Sequence, residues 1–206
     1  MARPRSDIGP RIVHAARRRF LKEGVDGASL RTIAKDAGTN IGMVYYYFPT
    51  KDDLFFAVVE EVYAKLLSDM MRALEANAPV EERIRRLYAR VGAVSDTELA
   101  TVQLIVREVL VSSARLRRLV ARFQRGHIPL VMGALADGVS QKIVDPSLPV
   151  PLLLLCTLAV GAVPQLVRRA VGKRPPFAEL PEGDALAELL VRVLFHGIGA
   201  PTAKAG

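Results

Sequence analysis

The chain has 206 residues, half of them hydrophobic and 24% charged, which excludes a wholly disordered polymer and permits a core without disulfides or metals. Its single cysteine excludes an internal disulfide and points to a reducing, cytoplasmic setting. The formal net charge of +8 is uneven: residues 1–50 carry nine Lys and Arg against four Asp and Glu, and the remainder twenty against seventeen. A small basic module ahead of a nearly balanced body suits an anionic partner met by the first quarter of the chain.

No apolar run follows the basic start Met1-Ala2-Arg3-Pro4-Arg5, so no signal peptide is expected. Ile12, Ala16 and Phe20 recur at helical spacing, with Gly24 as the expected stop. Leu30, Ile33, Ala34 and Ala37 repeat the pattern between Ser29 and Gly38. Gly38 supplies the positive φ that ends this helix, and Asn40 caps another expected over 41–47. Only Thr39 separates the two, which is helix-turn-helix spacing. Val44 and Phe48 are expected to pack back on Ile33 and Ala34. The free face then carries Asn40, Met43, Tyr46 and Tyr47, with Tyr45 at its edge.

That face has chemistry suited to DNA. Asn pairs with adenine, and Met or Ile meets a thymine methyl. Tyr hydroxyls and helix N-terminal amides hold phosphates, and Gly42 admits a close backbone approach. Three consecutive tyrosines point around a helix, so they cannot all be core. Thr50-Lys51-Asp52-Asp53-Leu54 reads as a capping box opening a new helix. Lys51 in the first turn runs against the helix dipole, and a phosphate contact would account for it.

These residues resemble the tetracycline-repressor (TetR) family of bacterial transcription regulators. The matching strings are Ile12-x-x-x-Ala16-x-x-x-Phe20-x-x-x-Gly24, Ser29-Leu30-Arg31-x-Ile33-Ala34-x-x-Ala37-Gly38 and Gly42-x-Val44-Tyr45-Tyr46-x-Phe48-x-x-Lys51-x-x-Leu54, spanning about residues 8–58. Beyond residue 60 only the helical layout is similar. The resemblance implies a homodimeric repressor with a three-helix head and a larger ligand-binding and dimerisation domain. Carried over by position, Thr39, Asn40, Ile41 and Met43 face the major groove. Ser29, Arg31, Thr32, Tyr45, Tyr46 and Lys51 hold phosphates, and Tyr47 does either. Asn40, Ile41 and Met43 depart from the family's frequent Ser, basic residue and Thr, which bears on the operator sequence and leaves the fold untouched. Arg3 and Arg5 could reach a minor groove from an arm.

The rest of the chain also reads as helical. Ile84, Leu87, Tyr88 and Val91 mark one helix after Pro79. Val102–Val111 and Leu116–Ile143 follow, divided near Ser112-Ser113, and helices over 151–172 and 184–197 complete the set. No alternating run or hairpin dipeptide argues for a strand. The expected fold is therefore all-α: a helix-turn-helix DNA-binding domain (1–50), a helical ligand-binding and dimerisation domain (51–200) and a disordered tail (201–206).

Residues 146–167 carry no charge, long enough to raise a membrane reading. Pro149 and Pro151 suit a helix start, whereas Pro164 is expected to kink the helix, leaving a continuous core of Leu152–Val163. A buried or subunit-interface helix is therefore expected. The preferred dimer packs the 151–172 and 184–197 helices with their copies as a four-helix bundle, without a membrane.

Arg115, Arg117, Arg118, Arg122 and Arg125 have no acidic partner between Glu108 and Asp137 and read as a solvated face, with a dock for an acidic ligand or a second nucleic-acid contact as the alternative. His14, His127 and His196 lack ligand spacing, so no metal is expected, and Cys156 reads as buried and structural. No phosphate loop, nucleophile elbow or carboxylate frame suggests an enzyme or a cofactor. Tyr63, Met70, Met71, Tyr88, Gln103, Arg107, Phe123 and His127 are candidate linings for a largely apolar effector pocket. Two rival readings remain: a membrane-associated helical protein anchored by 146–167, and a small-molecule-binding helical domain without operator binding.

Overall fold

The computed structural model describes residues 7–198; the Arg3 and Arg5 arm and the 201–206 tail lie outside them. Among the described residues the chain forms ten helices and no strand: α1 (Ile8–Gly27), α2 (Leu30–Asp36), α3 (Ile41–Tyr47), α4 (Lys51–Ala73), α5 (Val80–Gly92), α6 (Asp96–Val111), α7 (Ser113–Gln124), α8 (His127–Ser140), α9 (Val150–Val171) and α10 (Gly183–His196).

The contacts divide the chain into two compact units. One holds the described residues through Leu66 together with Ser95–Arg122; the other holds Leu67–Val94 and the described residues from Phe123 on. Thus α6 and α7 group with the first three helices, although more than forty residues separate them in sequence.

In the first unit, Ile12, Ala16, Phe20, Ile33, Ala34, Val44, Leu54 and Val58 form a closed apolar centre, each large side chain contributing about 1.5–3 kcal/mol on burial. α1 breaks at Gly24, where φ is +78°, a conformation that only glycine adopts cheaply. The break takes Val25 N–H out of the helix ladder. Glu108 of α6 accepts that N–H at 3.1 Å, while Arg107 donates to the carbonyls of Phe20 and Leu21. A neighbouring Arg-Glu pair thus replaces the backbone bonds the break removes.

α7 lies along α4 through a repeated arrangement. Arg115 pairs with Asp52 near the Phe55 ring, Arg118 with Asp53 over Phe56, and Arg122 with Glu60 over Tyr63. Each carboxylate precedes its aromatic by three residues, so both lie on one helix face. Three of the five arginines are therefore engaged by α4, while Arg117 and Arg125 are exposed as the solvated reading expects. Arg115, Arg118 and Arg122 have partners about 60 residues away in sequence, beyond any local reading.

The second unit is organised around Leu74, Ile84, Leu87, Tyr88, Val131, Leu186 and Leu190. Gly161 of α9 admits the Tyr88 ring of α5, whose hydroxyl donates to Thr157 O at 2.7 Å. Burial pushes that phenol well above its ordinary pKa. The helix expected over 116–143 is two helices. Gly126, at φ −122° and ψ −112°, separates α7 from α8.

α9 covers the helix expected over 151–172 and continues unbroken through Pro164 for 22 residues. Gln165 spans this turn: its Nε2 donates to Gly161 O at 2.8 Å and to Tyr88 O of α5 at 2.6 Å. The helix is long and apolar enough to cross a membrane by length and composition. Nor is it wholly buried. Thr157, Gly161, Gln165 and Arg168 face inward, while Leu155 and Val163 are 65% and 55% exposed. Cys156 is exposed as well, not buried.

Candidate nucleic-acid interface

The two short helices are defined by their caps. Ser29 Oγ accepts from Thr32 N–H at 3.4 Å, and Asn40 Oδ1 accepts from Met43 N–H at 3.0 Å. Gly38 turns the chain between them at φ +63°. Arg11 of α1 reaches over this turn and donates to the carbonyls of Ala37 and Gly38. Sequence reasoning missed Arg11, since no local signal links residues 26 apart.

Val44 is fully buried and anchors α3. Around it, Asn40 and Gly42 are exposed, and Thr39, Ile41 and Met43 are half-buried. Tyr46 is 77% exposed and Tyr45 53%. Tyr47 is half-buried beside Gly9 of α1, with its ring 5.3 Å edge-on from that of Tyr46. Tyr45 and Tyr47 thus exchange places relative to the expected face, because α1 covers the Tyr47 side. Ser29 and Arg31 are exposed at the start of α2, and Thr32 is half-buried.

The capping box forms as expected. Thr50 Oγ1 accepts Asp53 N–H at 3.0 Å, and Asp53 Oδ2 accepts Thr50 N–H at 3.2 Å. The Thr50 hydroxyl and the Arg118 guanidinium hold the Asp53 carboxyl below its ordinary pKa. Lys51 donates to Asp26 O at 2.9 Å, so a backbone carbonyl at the end of α1 offsets its place in the first turn of α4. An exposed polar face on a capped short helix, braced by a second, can enter a major groove and offer amide, hydroxyl and apolar groups to base edges and phosphates.

The eight effector candidates are scattered. Tyr63 is buried under Arg122, Arg107 braces α1, and Gln103 is exposed. In the second unit, Tyr88 and His127 are buried, Met70 packs on the core, Met71 is exposed, and Phe123 lies against the His127 ring. None lines either of two cavities in that unit. One, of about 300 Å³, is walled by Leu135, Leu152, Leu153, Cys156, Leu194 and Phe195. The other, of about 420 Å³, is lined by Gln165, Arg168, Arg169 and Glu182. Among the described residues no group of His, Cys, Asp and Glu could hold a metal.

A family model for bacterial regulatory proteins of the tetR family matches residues 12–58, the segment that builds this face. That segment is similar to the DNA-binding part of tetR-family regulators. The chain is similar along most of its length to the fatty acid metabolism regulator protein of Bacillus subtilis, at 24% identity over 87% of this chain and 92% of that protein. A nicotine-responsive transcriptional repressor of Paenarthrobacter nicotinovorans is 31% identical over 39% of this chain and 42% of its own. The crystal structure of FadR from Bacillus subtilis in complex with stearoyl-CoA has the same fold. Its TM-score is 0.75 at 19% identity, covering 92% of this regulator and 99% of that chain. A TetR-like regulator from Rhodococcus sp. RHA1 gives 0.68 at 22% identity, over 95% and 98% of the two chains. The protein is thus an all-α, helix-turn-helix transcriptional regulator and not an enzyme.

Proposed function

We propose that the regulator is a cytoplasmic homodimeric repressor that reads a palindromic operator and is released by a small, largely apolar effector. The observation that carries this reading is the open face of α3, with Asn40 and Gly42 exposed and Tyr45 and Tyr46 turned outward. Thr39, Asn40, Ile41 and Met43 read bases; Ser29, Arg31, Thr32, Tyr45, Tyr46 and Lys51 hold phosphates; Tyr47 steadies the face against α1. Two heads on a two-fold axis reach half-sites one helical turn apart, about 34 Å.

We assign operator reading to residues 1–50 and effector binding and dimerisation to 51–200. The exposed apolar residues Leu155 and Val163 of α9 and Leu189 and Val193 of α10 support pairing through the helices over about 151–172 and 184–197. The 300 Å³ apolar cavity of the second unit suits an acyl chain, the kind of group borne by the stearoyl-CoA in the FadR complex. Such a ligand releases DNA only by its differential affinity for a conformation whose heads do not fit the operator.

The test is selection of genomic DNA fragments by the purified protein at physiological salt, followed by sequencing. An enriched palindrome is expected, and addition of long-chain acyl-CoA should elute it. Binding without an enriched site would overturn the operator reading, and an enriched site that acyl-CoA leaves bound would overturn the effector class.

A further inference from the structure

Arg115 is the most heavily paired cation of the first unit. Its guanidinium holds Asp26 through Nη2 at 2.6 Å and Nη1 at 3.3 Å, and Asp52 through Nε at 3.0 Å and Nη2 at 2.9 Å. Nη1 also meets Glu108 Oε2 at 2.7 Å. The Arg115 side chain is 7% exposed, so it cannot itself reach a phosphate. What it controls are the two aspartates, both partly open to solvent, with side chains 69% and 40% exposed. They flank Lys51: Asp52 is its neighbour in sequence, and Asp26 supplies the carbonyl that its ammonium touches.

We propose that Arg115 is a positioning residue for DNA binding, which holds the carboxylates of Asp26 and Asp52 so that Lys51 stays available to a phosphate. This rests on the reading of Lys51 as a phosphate contact. With Arg115 in place, the Lys51 ammonium donates to a neutral carbonyl, a hydrogen bond readily exchanged for one to a phosphate. Without it, Asp26 becomes an unpaired carboxylate beside the ammonium. Lys51 then closes an ion pair on its own chain, and the bare Asp52 repels the incoming strand. Glu108 and the Phe55 ring, 5.9 Å from the guanidinium carbon, keep Arg115 fixed. Arg107 shares the Glu108 charge at 3.4 Å. The carboxylates therefore settle on a rigid cation.

Counterion release separates this role from a merely structural one, because the slope of log affinity against log salt reports phosphates neutralised and not stability. The probe is a mixed-sequence DNA duplex long enough for two heads, titrated at several potassium chloride concentrations. Lys51→Ala is expected to lower the slope by about 0.9 per head; an unchanged slope would overturn the Lys51 reading itself. Given that loss, two charge-balanced double variants decide the role of Arg115, with circular dichroism melts confirming that both fold. R115Q/D26N removes the carboxylate that would capture Lys51 and is expected to keep the parental slope, at an affinity lowered by the bare Asp52. R115Q/D52N leaves Asp26 bare and is expected to match Lys51→Ala. Equal slopes for the two doubles would overturn the proposal. Should neither fold, Arg115→Lys serves instead: one ammonium cannot hold both aspartates, and a parental slope there would equally overturn it.

Discussion

At the scale of single residues, Asn40 has two jobs that can be separated. Its Oδ1 accepts from Met43 N–H at 3.0 Å, and its side chain stands at the exposed N-terminal end of the recognition helix. Loss of an N-cap costs about 1 kcal/mol, and loss of a bidentate adenine contact costs about 1–3 kcal/mol of base discrimination. Asn40→Ala is expected to show both, as a lower melting temperature and relaxed preference at one position per half-site. Asn40→Asp should keep the cap and lose the adenine contact, since a carboxylate cannot donate. If the Asn40→Asp variant retained the sequence preference, Asn40 would be a cap alone.

At the scale of elements, close packing in one unit and charge pairing in the other set different sensitivities. Where α5 crosses α9, a Cβ at Gly161 would overlap the Tyr88 ring. That ring is held in place by its hydroxyl bond to Thr157 O, so little can yield. Gly161→Ala should destabilise the protein by about 1–3 kcal/mol in urea unfolding, and Tyr88→Leu, which removes the ring from the groove, should offset part of that loss. The α4–α7 ladder responds instead to acid. The Arg115 guanidinium holds Asp26 below its ordinary carboxylate pKa, and Thr50 and Arg118 do so for Asp53. A group with a depressed folded pKa contributes stability above its unfolded value, about 3.9 for Asp, and loses it as pH falls through the folded value. Melting temperature should therefore be insensitive to these groups near neutrality and fall below about pH 4, with a shallower fall in Asp53→Asn. An unchanged acid limb in that variant would show that the pairing at Asp53 contributes nothing to folding.

At the scale of the whole molecule, the prediction concerns self-association. α9 and α10 carry apolar residues that this chain alone does not cover, among them Leu155, Val163, Leu189 and Val193. A charge at Leu189 would be buried unpaired in a bundle of two copies, at a cost of several kcal/mol. Leu189→Glu should yield monomers by light scattering and lose tight operator binding while each head keeps its fold. Persistent dimers would move the interface elsewhere.

The sequence alone determined whatever depends on near neighbours. The cap at Asn40, the turn at Gly38, the helix end near Gly24 and the box at Thr50–Asp53 each need only a few consecutive residues, and each was legible. The α7–α8 division was carried by a single glycine, Gly126, inside an otherwise continuous apolar period, and periodicity hid it. The tertiary structure decided what depends on distant partners. It placed the arginines of α7 on carboxylates of α1 and α4, set Arg107 and Glu108 into the break of α1, and turned Tyr47 toward α1 and Tyr45 outward. The reason is one of range. Capping and helical periodicity act within a turn or two of chain, so residue order encodes them directly. An ion pair or a covered ring depends on which helices meet, and that is fixed only when the apolar faces of the whole unit close together.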